Sequence, residues 1–387
     1  MTARGLARRL LGVALAVGVA AAARTVAVRE LPADYDEFAY LPAAAWYAER
    51  MAPGRWGELP DEPENAEHPP MVKLLYAWQL KRSGAPRPDW EQVHAGKPIP
   101  EAARPAFLQT RALSAVAGVA QVALLAAAVP AAGLWLAVDT YHVKYTSQAY
   151  IEALPGLLAL LSVLLFERSL RRRTDPARAL LPAREAPRLA PLLGAAAFLG
   201  LATAGKYGYG LVLVLTFAPF LLDRAGHRPR LLAGFAALAL LVFLVADPAI
   251  WPNPPVRLWS SVTFHFRYAV NAHVAEVGFP WWQPLDWLSR PAPAKWHPGV
   301  FLISFPDRLL LVAAALSAGV AWKRRPVWLV WSVMGLAFLL AWPTKWPQYT
   351  LLFRAGLAGC AGLGLTAAWE RLSPRLAGRR PRTHSLT

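Results

Sequence analysis

The residues able to do chemistry are concentrated between Asp34 and Leu75, in DYDEFAYLPAAAWYAERMAPGRWGELPDEPENAEHPPMVKLL. Asp36 and Glu37 form an adjacent acidic pair, and Glu67-His68-Pro69-Pro70 makes a stiff turn that runs into Lys73. A carboxylate can take the proton from an attacking hydroxyl, and arginine or lysine can hold a phosphate through charge-assisted hydrogen bonds. A loop that only joins two apolar segments needs none of these groups. More acids and bases follow at or near the ends of apolar runs: Arg111, Asp139, His142, Lys144, Glu152, Lys206, Asp247, His265, Arg267, His273 and Lys345.

The elements that must position these residues are apolar. The chain has 387 residues, 56% of them hydrophobic, and its charged fraction of 17% lies below the roughly 25% of a soluble domain. Several runs approach the ~20 residues needed to cross the hydrocarbon core, so the chain reads as an all-α polytopic membrane protein. The net charge of +17 argues for topology rather than nucleic-acid binding. Its arginines and lysines cluster at span ends: Arg4, Arg8 and Arg9; Arg168 and Arg171 to Arg173; Arg224, Arg228 and Arg230; Lys323 to Arg325; Arg375, Arg379 and Arg380. That is the pattern of cytoplasmic loops. The single cysteine, Cys360, allows no intramolecular disulfide and reads as a small packing residue.

Residues 6–28 read as a retained first helix rather than a cleaved leader, followed by an outer loop at 30–105. Within that loop Phe38, Leu41, Ala45 and Met51 share one helical face, which predicts an amphipathic helix lying in the membrane interface. Spans are expected at 106–128 and 129–146 (a hairpin), then at 148–167, 189–206, 208–222 and 231–249. A second outer loop at 250–300 precedes spans at 302–321, 327–342 and 349–369. About ten helices result, with both termini cytoplasmic, in a single integral-membrane domain covering 1–387. This topology gathers the unusual charges on the outer face, as a site for an anionic lipid headgroup would require; the alternative is snorkelling and isolated interfacial ion pairs. Asp36 also stands where it could cap the helix that follows.

An acidic pair just after the first helix, then a His-Pro-Pro turn in EHPPMVKLL, resembles glycosyltransferase family 39 of the GT-C superfamily. That family includes the protein O-mannosyltransferases and the lipid A aminoarabinose transferases. WYAERMAPGRW, TRALSAVAG, GKYGYG, WWQPLDWLSRP and TKWPQY are similar to its other landmarks, in the same order. The chain departs from the family in lacking an inserted soluble domain and in the offset position of Glu67. The resemblance implies a GT-C fold and transfer of a sugar, for example mannose, from a polyprenyl-phosphate donor to a hydroxyl on the outer face. It makes Asp36 the base, with Glu37 as its supporting partner or substitute. Arg50, Lys73, Arg111, Lys206 and Lys345 are then candidates for the donor phosphate, and Glu67, His68 and Tyr349 for substrate. The expected partners are the lipid-linked donor, a protein, glycolipid or glycan acceptor, and membrane lipids, with no nucleic acid. No residue set has metal-ligand spacing and no cofactor is called for, although a divalent metal stays open. The Ala-, Arg- and Pro-rich composition suggests a GC-rich bacterial genome, which favours a polyprenyl carrier over dolichol and puts the expected location in a bacterial inner membrane. Two other classes compete: a lipid-linked sugar transporter or flippase, and a non-catalytic protein that kept the fold.

Overall fold

The computed structural model describes residues 3–84, 88–171, 187–225, 229–293, 299–301 and 303–377. The basic residues Arg172, Arg173, Arg228, Arg379 and Arg380, and part of the expected second outer loop (294–298), lie outside the described residues. Among the described residues the chain is helical, without a β-strand. Helix α1 (Ala3–Glu30) packs against α4 (Arg104–Ala128) and α5 (Pro130–Val138). Next in the bundle, α7 (Ala153–Leu170) packs on α8 (Leu189–Gly205), which meets α10 (Pro229–Ala246) and α9 (Tyr207–Ala225). Helix α17 (Arg354–Ala377) lies against α5, α14 (Phe305–Leu316) and α16 (Pro326–Ala341).

Among the described residues, Gly5–Glu30 of α1 together with α4, α7 and α10 are long and apolar enough to cross a membrane. Helix α14 and α15 (Ala318–Arg324) form a further span if their 61° bend lies within one crossing, and α8, α9 and α16 are shorter apolar helices. The expected crossing at 129–146 comes out differently. Nine residues of α5 rise about 14 Å, less than half the ~30 Å hydrocarbon core. Asp139 ends α5 and restarts the chain as α6 (Thr140–Tyr145), its carboxylate accepting from the His142 amide at 2.8 Å. The last helix starts at Arg354 rather than near residue 349, because Pro347–Leu352 winds as a tight 3-10 turn.

The expected interfacial helix is also placed differently. Helix α2 (Glu37–Arg50) packs on α3 (Met71–Ser83), burying Tyr40, Leu41, Ala43, Ala44, Ala45 and Tyr47. Its apolar residues surround more than one face, and such a helix is covered by protein rather than left at a boundary. The exposed apolar face belongs instead to α11 (Pro254–Ala269), where Val256, Trp259, Val262 and Phe266 point outward.

Small residues let the bundle close around its polar parts, as is usual between membrane helices. A Cβ on Gly118 of α4 would stand 2.4 Å from Thr146 Oγ1 and 2.7 Å from Arg24 Nε. Arg24, buried in α1, donates to Thr146 Oγ1 at 2.9 Å and meets His142 Nδ1 at 2.5 Å. Arg354 binds Asp139 at 2.5 Å and Asp307 at 3.1 Å. These links hold the segment 139–152, which forms one wall of the site described next.

Candidate functional site

Stretches far apart in sequence meet at the ends of the bundle helices: 32–40, 65–68, 144–150, 264–279 and 346–349. Between them lies a cavity of about 620 Å³. Asp36 faces into it from the start of α2. It occupies the N-cap position, yet its carboxylate caps no backbone amide. Instead it accepts from Gln348 Nε2 at 2.9 Å and more loosely from the Tyr40 hydroxyl at 3.5 Å. Burial pushes the Asp36 carboxyl up to about 7, the nearby Glu152 carboxylate adds to the rise, and Lys206 opposes it. A carboxylate titrating near neutral pH is suited to general-base work.

Lys206, at the α8–α9 junction, forms an ion pair with Glu152 and sits 4.6 Å from the centroid of the Tyr349 ring. Glu152 Oε2 is buried and unpartnered. Tyr349, Glu67 and His68 line the cavity. The His68 ring lies 5.3 Å from that of His265 and edge-on to Tyr40 at 5.9 Å. Burial first, then the charges of Lys206 and the other neighbouring cations, hold His68 well below its ordinary value, so it is a neutral imidazole. Burial also raises Glu67. Lys144 lines the cavity in an ion pair of 2.9 Å with Asp34.

The other expected site residues are drawn elsewhere. Glu37 is fully buried and turned away from the cavity. Its two oxygens take Arg111 at 2.8 and 2.6 Å, and they also accept from the amides of Ala149 (2.7 Å) and Asp34 (3.0 Å). Arg111 spends its remaining donors on the carbonyls of Val28 (3.3 Å), Leu31 (2.7 Å) and Pro32 (2.8 Å). The pair is a knot between the end of α1, the start of α2, and α4. Lys73 is likewise fully buried, held by Glu62 at 2.8 Å and the Asn65 carbonyl at 2.6 Å, and so pins residues 62–65 to α3. Lys345 donates to the carbonyls of Leu339, Leu340 and Trp342, closing the end of α16. Arg50 pairs with Glu58 at 3.3 Å and stacks over Trp46 at 3.9 Å. Of the five cations expected to serve a phosphate, Lys206 is the one gathered close to Asp36.

Sequence reasoning missed Gln348 and the aromatic residues Tyr35, Tyr40, Trp346 and Phe279 that line the cavity. Gln348 stands beside Tyr349 in TKWPQY, and an amide in a Pro- and Trp-rich segment was the available signal. Among the described residues no group of three or more His, Cys, Asp or Glu side chains is gathered for a metal ion.

No protein-family model matches this chain, and no curated protein matches it by sequence. Solved structures do. ArnT from Cupriavidus metallidurans, bound to undecaprenyl phosphate, matches with a TM-score of 0.62 at 18% identity. The match covers 97% of this chain and 62% of that one, so this chain spans less than two thirds of the ArnT length. Apo ArnT gives a TM-score of 0.64 at 17% identity, with the same coverage. The oligosaccharyltransferase AglB from Archaeoglobus fulgidus, in complex with an inhibitory peptide and a dolichol-phosphate, gives 0.50 at 14% identity over 97% of this chain and 52% of that one. The chain is thus a helical membrane protein with the fold of the GT-C glycosyltransferases.

Proposed function

We propose that the protein moves a sugar, a hexose such as mannose, from a polyprenyl-phosphate donor to a hydroxyl acceptor on the outer face of a bacterial inner membrane. In this reading both termini are cytoplasmic, the chain passes between the two faces about ten times with the short α5 and α6 together completing one pass, and residues 1–387 form one catalytic domain. The acceptor hydroxyl attacks the anomeric carbon and gives its proton to Asp36. The bond from that carbon to the phosphate oxygen breaks, and its electrons leave with the polyprenyl phosphate. A single direct displacement inverts the anomeric centre, by analogy with inverting glycosidases. Lys206 supplies fixed positive charge for the leaving phosphate, and Glu152 holds its side chain in place. The Glu37–Arg111 knot positions the segment that carries Asp36, and Lys73 fixes residues 62–65, which lead into Glu67 and His68.

The observation that carries this reading is Asp36 itself: a carboxylate facing a cavity of about 620 Å³, capping nothing, and poised near pH 7. The undecaprenyl phosphate bound to ArnT, a protein of the same fold, supports a lipid-phosphate donor. The test is transfer by purified protein in lipid, with radiolabelled polyprenyl-phosphate mannose and a cell-envelope extract. Label passed to an acceptor by the wild type and not by Asp36→Asn supports the reading. Equal transfer by both removes Asp36 as base. Donor binding without transfer, across several sugar donors, favours a transporter.

A further inference from the structure

The outer wall of the cavity is aromatic, and it is built on the same side as the base. Tyr35, the neighbour of Asp36, stacks on His273 with ring centroids 5.8 Å apart and planes 14° apart. His273 stacks in turn on Trp346 at 5.6 Å and 22°. Phe279 stands edge-on to Trp346 at 6.0 Å. All four rings line the cavity. Trp346 lies two residues before Gln348, the residue that holds Asp36, so wall and base share a backbone frame. Tyr35 is 64% exposed and open to a ligand.

Polar groups are set among these rings. Gln148 lines the cavity and is 1% exposed. Its Nε2 donates to the Pro32 carbonyl at 3.1 Å, while its Oε1 is buried without a partner. A buried amide oxygen left unpaired is unfavourable, so it calls for a donor from a ligand. The Asp34–Lys144 pair adds an acceptor and a donor on the same wall. Flat aromatic faces suit the C–H faces of a pyranose ring, and planar amide and carboxylate groups suit its hydroxyls. A cavity of this volume falls in the roughly 300–1,000 Å³ range of small-molecule sites.

In a direct displacement the base stands on the acceptor side, opposite the leaving phosphate. From this placement, and resting on the proposed transferase reading, we infer that the aromatic wall binds a pyranose ring of the acceptor: the protein glycosylates a sugar hydroxyl of a glycan or glycolipid rather than a serine or threonine of a polypeptide. Tyr35 and Trp346 supply the stacking faces, and Gln148 Oε1 accepts from a ring hydroxyl.

The test uses the full chain in nanodiscs of phosphatidylethanolamine and phosphatidylglycerol. Saturation-transfer NMR is recorded with methyl pyranosides of gluco, galacto and manno configuration, with mannotriose, and with a serine/threonine-rich peptide. Saturation of the sugar C–H protons is expected for at least one sugar. Trp346→Ala and Gln148→Leu should each weaken that sugar about tenfold, while Trp346→Phe, which keeps a ring, retains most of the binding. Trp259→Leu, on the exposed face of α11, should change nothing. Binding of the peptide in place of every sugar overturns the inference, as does sugar binding unaffected by Trp346→Ala and Gln148→Leu. A glycolipid placed in the nanodisc, compared with the free saccharide, tells which source carries the ring, and preference for either supports the site. The two proposals fail separately. Ring-dependent sugar binding without transfer from any donor removes the transferase and keeps the site. Labelled sugar appearing on the peptide removes the site and keeps the transferase.

Discussion

Asp36 combines a position facing the cavity with a proton affinity raised by burial, and the consequences of both can be measured. Asp36→Asn should lower transfer by about 10²–10⁴-fold, the usual worth of a positioned base, with donor binding retained. In the wild type, rate should rise with pH through about 7, because only the ionised carboxylate accepts a proton. The residual activity of Asp36→Asn should lack that limb. Stability should run the other way. The folded-state value of about 7 lies above the ordinary 3.8, so this group's stabilisation is full below 3.8 and is lost as pH rises through 7. Thermal unfolding scans between pH 5 and 8 should show the melting temperature falling more steeply for wild type than for Asp36→Asn.

At the scale of elements, the site depends on charges that never touch its cavity. Removing one partner of a fully buried pair leaves the other uncompensated, at a cost of about 3–5 kcal/mol. Arg111→Met should therefore destabilise the protein by about that amount in detergent unfolding assays. Joint replacement with Glu37→Leu should cost less than the single change, a result that a phosphate-binding role for Arg111 does not produce. The Glu152–Lys206 pair should set the pH limb. Glu152 raises Asp36 and Lys206 lowers it, so Glu152→Gln should move the limb to lower pH and Lys206→Met to higher pH. Opposite shifts in pH–rate profiles check this. Gly118 leaves no room for a side chain beside Thr146 and Arg24, and Gly118→Val should cost about 1–3 kcal/mol through overpacking.

Over the whole molecule, loops separated by hundreds of residues form one end of the bundle, as the Asp36–Gln348 bond across 312 positions illustrates. The proposed orientation places that end outside the cell. On that orientation Trp56, 57% exposed between α2 and α3, should on conversion to cysteine react with a membrane-impermeant maleimide added to intact cells. The native Cys360 is fully buried and should stay unlabelled. Labelling of residue 56 only after cell lysis would reverse the orientation.

The helical membrane class was legible from composition and the length of the apolar runs, because a bilayer imposes a minimum span that local sequence must satisfy. The GT-C fold was legible from the Asp36-Glu37 pair, the His-Pro-Pro turn and the order of later motifs. Asp36 lies in the stretch those motifs single out, and the cavity forms around it. What the sequence left undecided was which charges serve a ligand and which serve the fold. Arg111, Lys73 and Lys345 look alike as cations beside apolar runs, yet Glu37, Glu62 and the carbonyls ending α16 engage them. The same blindness hid Arg24, Asp307 and Arg354 within spans, and it assigned an interfacial role to α2, which α3 covers. An ionisable residue near membrane depth must find a partner, but the partner is chosen by proximity in space. Proximity over dozens to hundreds of residues is a property of the packed helices, and tertiary structure alone supplies it.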